Sequence, residues 1–199
     1  MGSLIDRLLD TGIIEKLTSK LIGAKVRLGS AKFTPLSGRV SFKDIVVANP
    51  RGYHAPYILR FRRAEVVLDP LSLLSKKIVL REAHIHDAEA VYETSRGESN
   101  FSAILKSIDR VLGAKPARGR NALDMVRYEI DEFVIQGGRI RLCARLLPGK
   151  EVTLRVPPIA LKGLGKEGPG VTGQEVAALI IRHIVGEWLK AILPGFGKS

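Results

Sequence analysis

The residues with the most chemical potential are His84, His86 and Asp87, set in an alternating apolar stretch. On a strand His84 and His86 share one side, as two imidazoles on one metal would. No third ligand has suitable spacing, so they read as surface residues and no metal is expected. His54 and His183 are isolated. Gly163-Leu164-Gly165-Lys166-Glu167-Gly168 follows a strand, but Pro169 and the spacing fit a plain turn better than a phosphate cradle. There is no Gly-x-Ser-x-Gly, no His-Glu-x-x-His and no Walker loop, and the carboxylates are scattered rather than paired. Asn100-Phe101-Ser102 matches a glycosylation sequon only formally, since it opens a helix. The expectation is a protein without catalysis and without a cofactor.

Charge is more informative. Lys and Arg number 32 against 20 Asp and Glu, a net charge of +12. Such an excess favours anionic partners, namely phospholipid headgroups, nucleic acid or acidic proteins. The basic residues fall mostly between the apolar positions of strands, which places them on the opposite, outer face. Arg39, Lys43, Arg60, Arg62, Arg81, Arg139 and Arg141 are the candidates for contact with an anionic surface. Their alternative role is an ordinary solvated face. With 6% aromatic residues, no RNP-like strand and no helix-turn-helix signature, nucleic acid is not expected.

The elements that position these residues follow from one repeated spacing. Six stretches place apolar residues at steps of two, three and two. They are Val26/Leu28/Ala31/Phe33, Val40/Phe42/Ile45/Val47, Leu59/Phe61/Ala64/Val66, Ile78/Leu80/Ala83/Ile85, Tyr128/Ile130/Phe133/Ile135 and Leu154/Val156/Ile159/Leu161. A strand alternates faces with period two, so a step of three needs a bulge to return both halves to one face. Six strands bent at the same place predict a strongly bent antiparallel sheet, a β-groove or half-barrel of about eight strands. The class is α+β and the chain one domain, with 45% apolar residues to build a core.

Within it, residues 1–23 are an N-terminal helical segment expected to break near Gly12, and 24–164 form the sheet. Strands are expected at about 24–33, 37–48, 58–68 and 77–86, with a shorter one beginning at Ala90/Tyr92. A helical insertion at 99–124 starts on Ser99 as N-cap and runs into Gly113–Asn121, basic, breaker-rich and the best place for a proteolytic nick. A C-terminal amphipathic helix covers 172–193, opened by the capping box Thr172-Gly173-Gln174-Glu175 and stopped by Pro194-Gly195. Ile78–Tyr92 and Tyr128–Leu142 match at an offset of fifty, as a duplicated hairpin would. The chain carries no readable secretory signal, and Val171–Leu193 holds too many charges to lie in lipid. The lone Cys143 excludes an internal disulfide.

The order of short motifs resembles the AsmA-like family of bacterial cell-envelope proteins, in a short single-module form. The pieces are Leu36-Ser37-Gly38, Asn49-Pro50-x-Gly52-Tyr53-x-x-Pro56 and Leu68-Asp69-Pro70-x-Ser72-Leu73-Leu74-Ser75. They continue with Ile78-x-Leu80, Tyr92-Glu93, Ser99-Asn100-Phe101, Pro157-Pro158-Ile159-x-Leu161-x-x-Leu164-Gly165 and Gly170-x-Thr172-x-x-Glu175-Val176. The resemblance implies an elongated apolar β-groove that handles lipid on the periplasmic side of the inner membrane. It implies no catalytic residues. The family's membrane anchor is absent from this chain, which leaves the cytoplasm as the alternative location.

Two readings follow. In the first, an apolar groove shelters lipid acyl chains, and Val40, Phe42, Ile45, Val47, Leu59, Phe61, Val66, Ile78, Leu80, Ile85, Ile130, Phe133, Ile135, Leu154, Val156, Ile159 and Leu161 line it. In the second, the chain's own helices fill that groove, and the protein is a structural or interaction subunit that docks through sheet edges or helices.

Overall fold

The computed structural model describes residues 10–75, 77–113, 126–143 and 152–196. The predicted helical start at 3–9 and all but Gly113 of the basic segment 113–121 lie outside the described residues.

Helix α1 spans Thr11–Ile22, with the Asp10 carboxylate accepting from the Ile13 amide and Gly23 closing it in the left-handed conformation. The helix thus starts directly after the extended Asp10 with Gly12 in its first turn, and the segment on the other side of the expected break lies outside the described residues. Four strands follow: β1 (Val26–Thr34), β2 (Arg39–Ala48), β3 (Tyr57–Leu68) and β4 (Lys77–Tyr92). A small ribbon of β5 (Thr94–Ser95) and β6 (Glu98–Ser99) leads into helix α2 (Asn100–Gly113). Ser99 accepts from the Ser102 amide at 3.1 Å, the expected cap. Then come β7 (Arg127–Ile135), β8 (Gly138–Leu142), β9 (Val152–Val156), β10 (Ile159–Leu164), the short β11 (Val171–Thr172) and helix α3 (Gly173–Phe196). The capping box of α3 is reciprocal, with Glu175 N–H on Thr172 Oγ1 at 3.2 Å and Thr172 N–H on Glu175 Oε2 at 2.7 Å. The helix does not stop at Pro194: proline removes one bond to the preceding turn but keeps helical φ.

Nine strands form one α+β sheet that is largely antiparallel but mixed, and it does not close into a barrel. From β1 to β4 each strand is antiparallel to the next. β4 then runs parallel to β7 along its first half and to β8 along its second. This corrects the all-antiparallel expectation. Between β4 and β7 the chain passes through α2, and a parallel neighbour needs such a crossover. The offset of fifty turns out to be the register itself, with Ile78 on Tyr128, Ile85 on Ile135, Ala88 on Gly138 and Tyr92 on Leu142. What is duplicated is one long strand, not a hairpin. Likewise no separate strand begins at Ala90, because β4 is continuous for 16 residues.

The extra residues of the repeats fall on two lines across the sheet rather than one. Along the first, Gly29, Asp44, Arg62, Asp87 and Gly137 sit side by side, and the pairs on either side keep their register. Asp44, Asp87 and Gly137 have φ of 53°, 52° and 87° there. Every strand carries its extra residue at the same level, so the ladder resumes in step and the apolar face is preserved. The second line runs through Arg81 and Asp131, where pairing passes from Leu68/Leu80 to Val67/Glu82. The steps of three in β4 and β7 belong to this second line. Those in β1, β2 and β3, and at Pro157-Pro158 between β9 and β10, belong to the first.

All three helices pack on the apolar face. Ile22 of α1, Phe101, Ile104 and Ile108 of α2, and Ile184, Val185, Trp188 and Ile192 of α3 share one buried cluster with the sheet. Gly138 makes room for Trp188, since a Cβ there would come within 3.1 Å of its ring. Helix α1 also guards the open edge of β1. Ser19 Oγ accepts from the Val26 amide at 2.7 Å and Glu15 Oε1 from the Leu28 amide at 2.6 Å, satisfying groups a bare edge would present.

Candidate functional site

The seventeen apolar candidates lie on one side of the sheet in cross-strand rows, such as Val40 beside Val66 and Val66 beside Ala83. Burial is uneven across that face. On the central and far strands Leu59, Phe61, Ile78, Ile85, Ile130, Phe133, Ile135, Val156 and Ile159 are buried, as are Val40 and Val47 on β2. Phe42, Ile45, Val66, Leu80, Leu154 and Leu161 are only half-buried. On the flank of β1 and β2, Leu28 and Phe33 join Phe42 and Ile45 in partial exposure. The middle of the face holds helix side chains, with Trp188, Val185, Phe101, Ile104 and Ile108 at 0% exposure.

The basic candidates stand on the other face, and acids accompany more of them than the composition suggested. Arg39 lies 3.6 Å from Glu65. Arg81 bridges Asp69 at 2.6 Å and Asp131 at 3.1 Å. Arg139 and Arg141 converge on Glu89 at 3.2 and 3.0 Å, and Arg141 also donates to the Tyr57 hydroxyl while lying over its ring. Burial opposes the charge of Glu89, but the Tyr57 hydroxyl and the two guanidiniums outweigh it and hold the carboxyl below its ordinary range. Among the described residues no ion pair involves Lys43, Arg60 or Arg62. The cross-strand partner Glu89 was not legible as the acid for two arginines fifty and more residues away.

His84 and His86 do share the outer side, with rings stacked at 6.4 Å and His84 Nε2 3.6 Å from Glu82. Among the described residues no group of three or more His, Cys, Asp or Glu is placed to hold a metal.

One polar constellation had no counterpart in the spacing arguments. Glu93 and Asn100 are both at 0% exposure. Glu93 accepts from the amides of His54 and Ala55 at 2.8 Å each, from His54 Nδ1 at 3.0 Å and from Asn49 at 3.1 Å. Asn100 donates to Asn49 at 3.0 Å and to Val91 O at 2.7 Å, and its own Oδ1 accepts from the Glu93 amide at 3.1 Å. Burial works against the Glu93 charge, yet the amides of Ala55 and His54 and the imidazole keep its carboxyl below the ordinary value. This cluster pins the 49–56 loop to the end of β4 beneath an open polar cleft of about 720 Å³ lined by Arg51, Tyr53, His54, Thr94, Ser95 and Arg96. Three of the short motifs, Asn49-Pro50, Tyr92-Glu93 and Ser99-Asn100, thus meet in one place. The signal available in the sequence was their joint occurrence.

No helix among the described residues is long and apolar enough to cross a membrane, which leaves β-barrel spanning unaddressed. Compared with known proteins, the chain matches no family model and no curated relative.

Proposed function

We propose that this chain is a non-enzymatic module of the bacterial cell envelope, AsmA-like in kind, that handles lipid through the apolar face of its sheet. The observation that supports this is incomplete cover of the apolar face: α1, α2 and α3 close the centre, while Leu28, Phe33, Phe42 and Ile45 stay partly exposed on the β1–β2 flank beside the buried Val26, Val40 and Val47. In this reading the helices divide the groove, and acyl chains lie along the flank. An apolar strip bordered by an edge strand suits a chain-like ligand, because its contact is non-directional and scales with area. The periplasmic location belongs to the same proposal.

Native mass spectrometry of the gently purified protein, with lipid extraction in parallel, tests it. The expected outcome is co-purifying phospholipid that Phe42→Asp abolishes while the melting transition persists. Absence of lipid, or lipid that Phe42→Asp does not displace, favours the second reading. That reading is a structural or interaction subunit with a self-filled core, and the complete burial of Trp188 and Phe101 speaks for it.

A further inference from the structure

At the end of the sheet opposite the Glu93 cluster, two 3-10 turns lie against each other. One is Pro35–Ser37 between β1 and β2, the other Pro70–Leu74 between β3 and β4. They carry Leu36 at 100%, Leu71 at 78% and Leu74 at 89% exposure, three of the four large apolar side chains exposed among the described residues. The turns are held, not loose. Leu68 N–H donates to Gly38 O at 2.8 Å, Asp69 Oδ1 accepts from the Leu71 amide at 3.0 Å, and Ser72 Oγ bonds both Asp69 O and the Val79 amide. Gly38 has φ of 62°, and a Cβ there would lie 2.2 Å from Leu68 O, so only glycine lets the turns meet.

Scattered exposed leucines are ordinary, but three on adjoining, rigid, uncharged turns form a patch, and such patches mark contact surfaces. Residues 34–38 and 70–75 contain no ionisable group, and behind them stand Lys32, Arg39 paired with Glu65, Lys77 paired with Glu129 and Arg81 paired with Asp69, so that cations outnumber acids there. An apolar tip with basic residues behind it matches the layering of an anionic bilayer, hydrocarbon beneath phosphate. We propose that these two turns are the end by which the protein docks on an anionic lipid surface, with Leu36, Leu71 and Leu74 entering the interface. The proposal shares with the functional reading above the choice of lipid as partner, but it needs no acyl chain on the sheet.

The test is co-flotation of the full chain with vesicles of phosphatidylglycerol and phosphatidylethanolamine. Leu36→Ser, Leu71→Ser and Leu74→Ser are made singly and together, with melting curves checking the fold. The wild type floats, each single variant lowers the bound partition about tenfold or less, and the triple variant stays at the bottom. The leucine-dependent share persists at about 0.5 M salt, where the Debye length is only a few ångströms. The triple variant keeps whatever lipid co-purifies with the wild type, which separates docking from acyl-chain binding. A triple variant that floats normally, or a wild type that never floats, overturns the proposal. So does a wild-type dimer in light scattering that the triple variant abolishes without any change in flotation, which assigns the turns to a second copy of the chain.

Discussion

Glu93 shows what a single buried residue can organise. Its carboxylate is fully buried and accepts two backbone amides, an imidazole and a side-chain amide, so no solvent is needed to stabilise its charge. Replacing it with alanine takes the acceptor from those donors, and the expected loss is about 3 kcal/mol in urea unfolding. Its acidity also carries a pH dependence. The folded carboxyl lies below the ordinary value of 4.5, so its contribution is full above that value and is lost as the pH falls through the folded one. Glu93→Gln, which cannot ionise, should therefore flatten the acid limb of stability measured between about pH 5 and 2.

At the scale of elements, Asp44 and Asp87 do in β2 and β4 what Gly137 does between β7 and β8. They adopt positive φ so that a strand can turn and keep pairing. Aspartate tolerates that region and β-branched residues do not. Asp87→Val should lower stability by about 1–2 kcal/mol in thermal unfolding, while Asp87→Gly should be close to neutral. The repeated step of three was legible because each strand carries it. Its division between two lines was not, because which residues lie side by side depends on register across strands, and the repeats of β4 and β7 are shifted against the others. The parallel pairing was half-legible. The offset of fifty and the intervening helix were both readable, but similarity between two segments does not say that they are neighbours. Of the candidate site, the apolar face was read residue by residue, and the Glu93 cluster was missed because Asn49, His54, Ala55, Glu93 and Asn100 come from three separate segments.

For the whole molecule the contact that decides between an open and a closed face is Trp188 over Gly138. The indole is fully buried, and the missing side chain at 138 is what admits it. Trp188→Ala should cost about 3–5 kcal/mol and expose apolar surface to a hydrophobic dye. Gly138→Val should give a similar loss by pushing α3 off the sheet, since its Cβ would also press on Ala88 O at 2.9 Å. By itself, the sequence determined the alternation that puts apolar side chains on one face and arginines on the other, and the helix caps at Ser99 and Thr172. These are local consequences of chirality, period and side-chain hydrogen bonding. Only the tertiary structure decided that β4 and β7 run parallel, that acids neutralise Arg39, Arg81, Arg139 and Arg141, and that helices occupy the centre of the face. It also brought Leu36, Leu71 and Leu74 together at one end. Each of these is a meeting of residues far apart in the chain, and periodicity along a chain carries no information about distance across it.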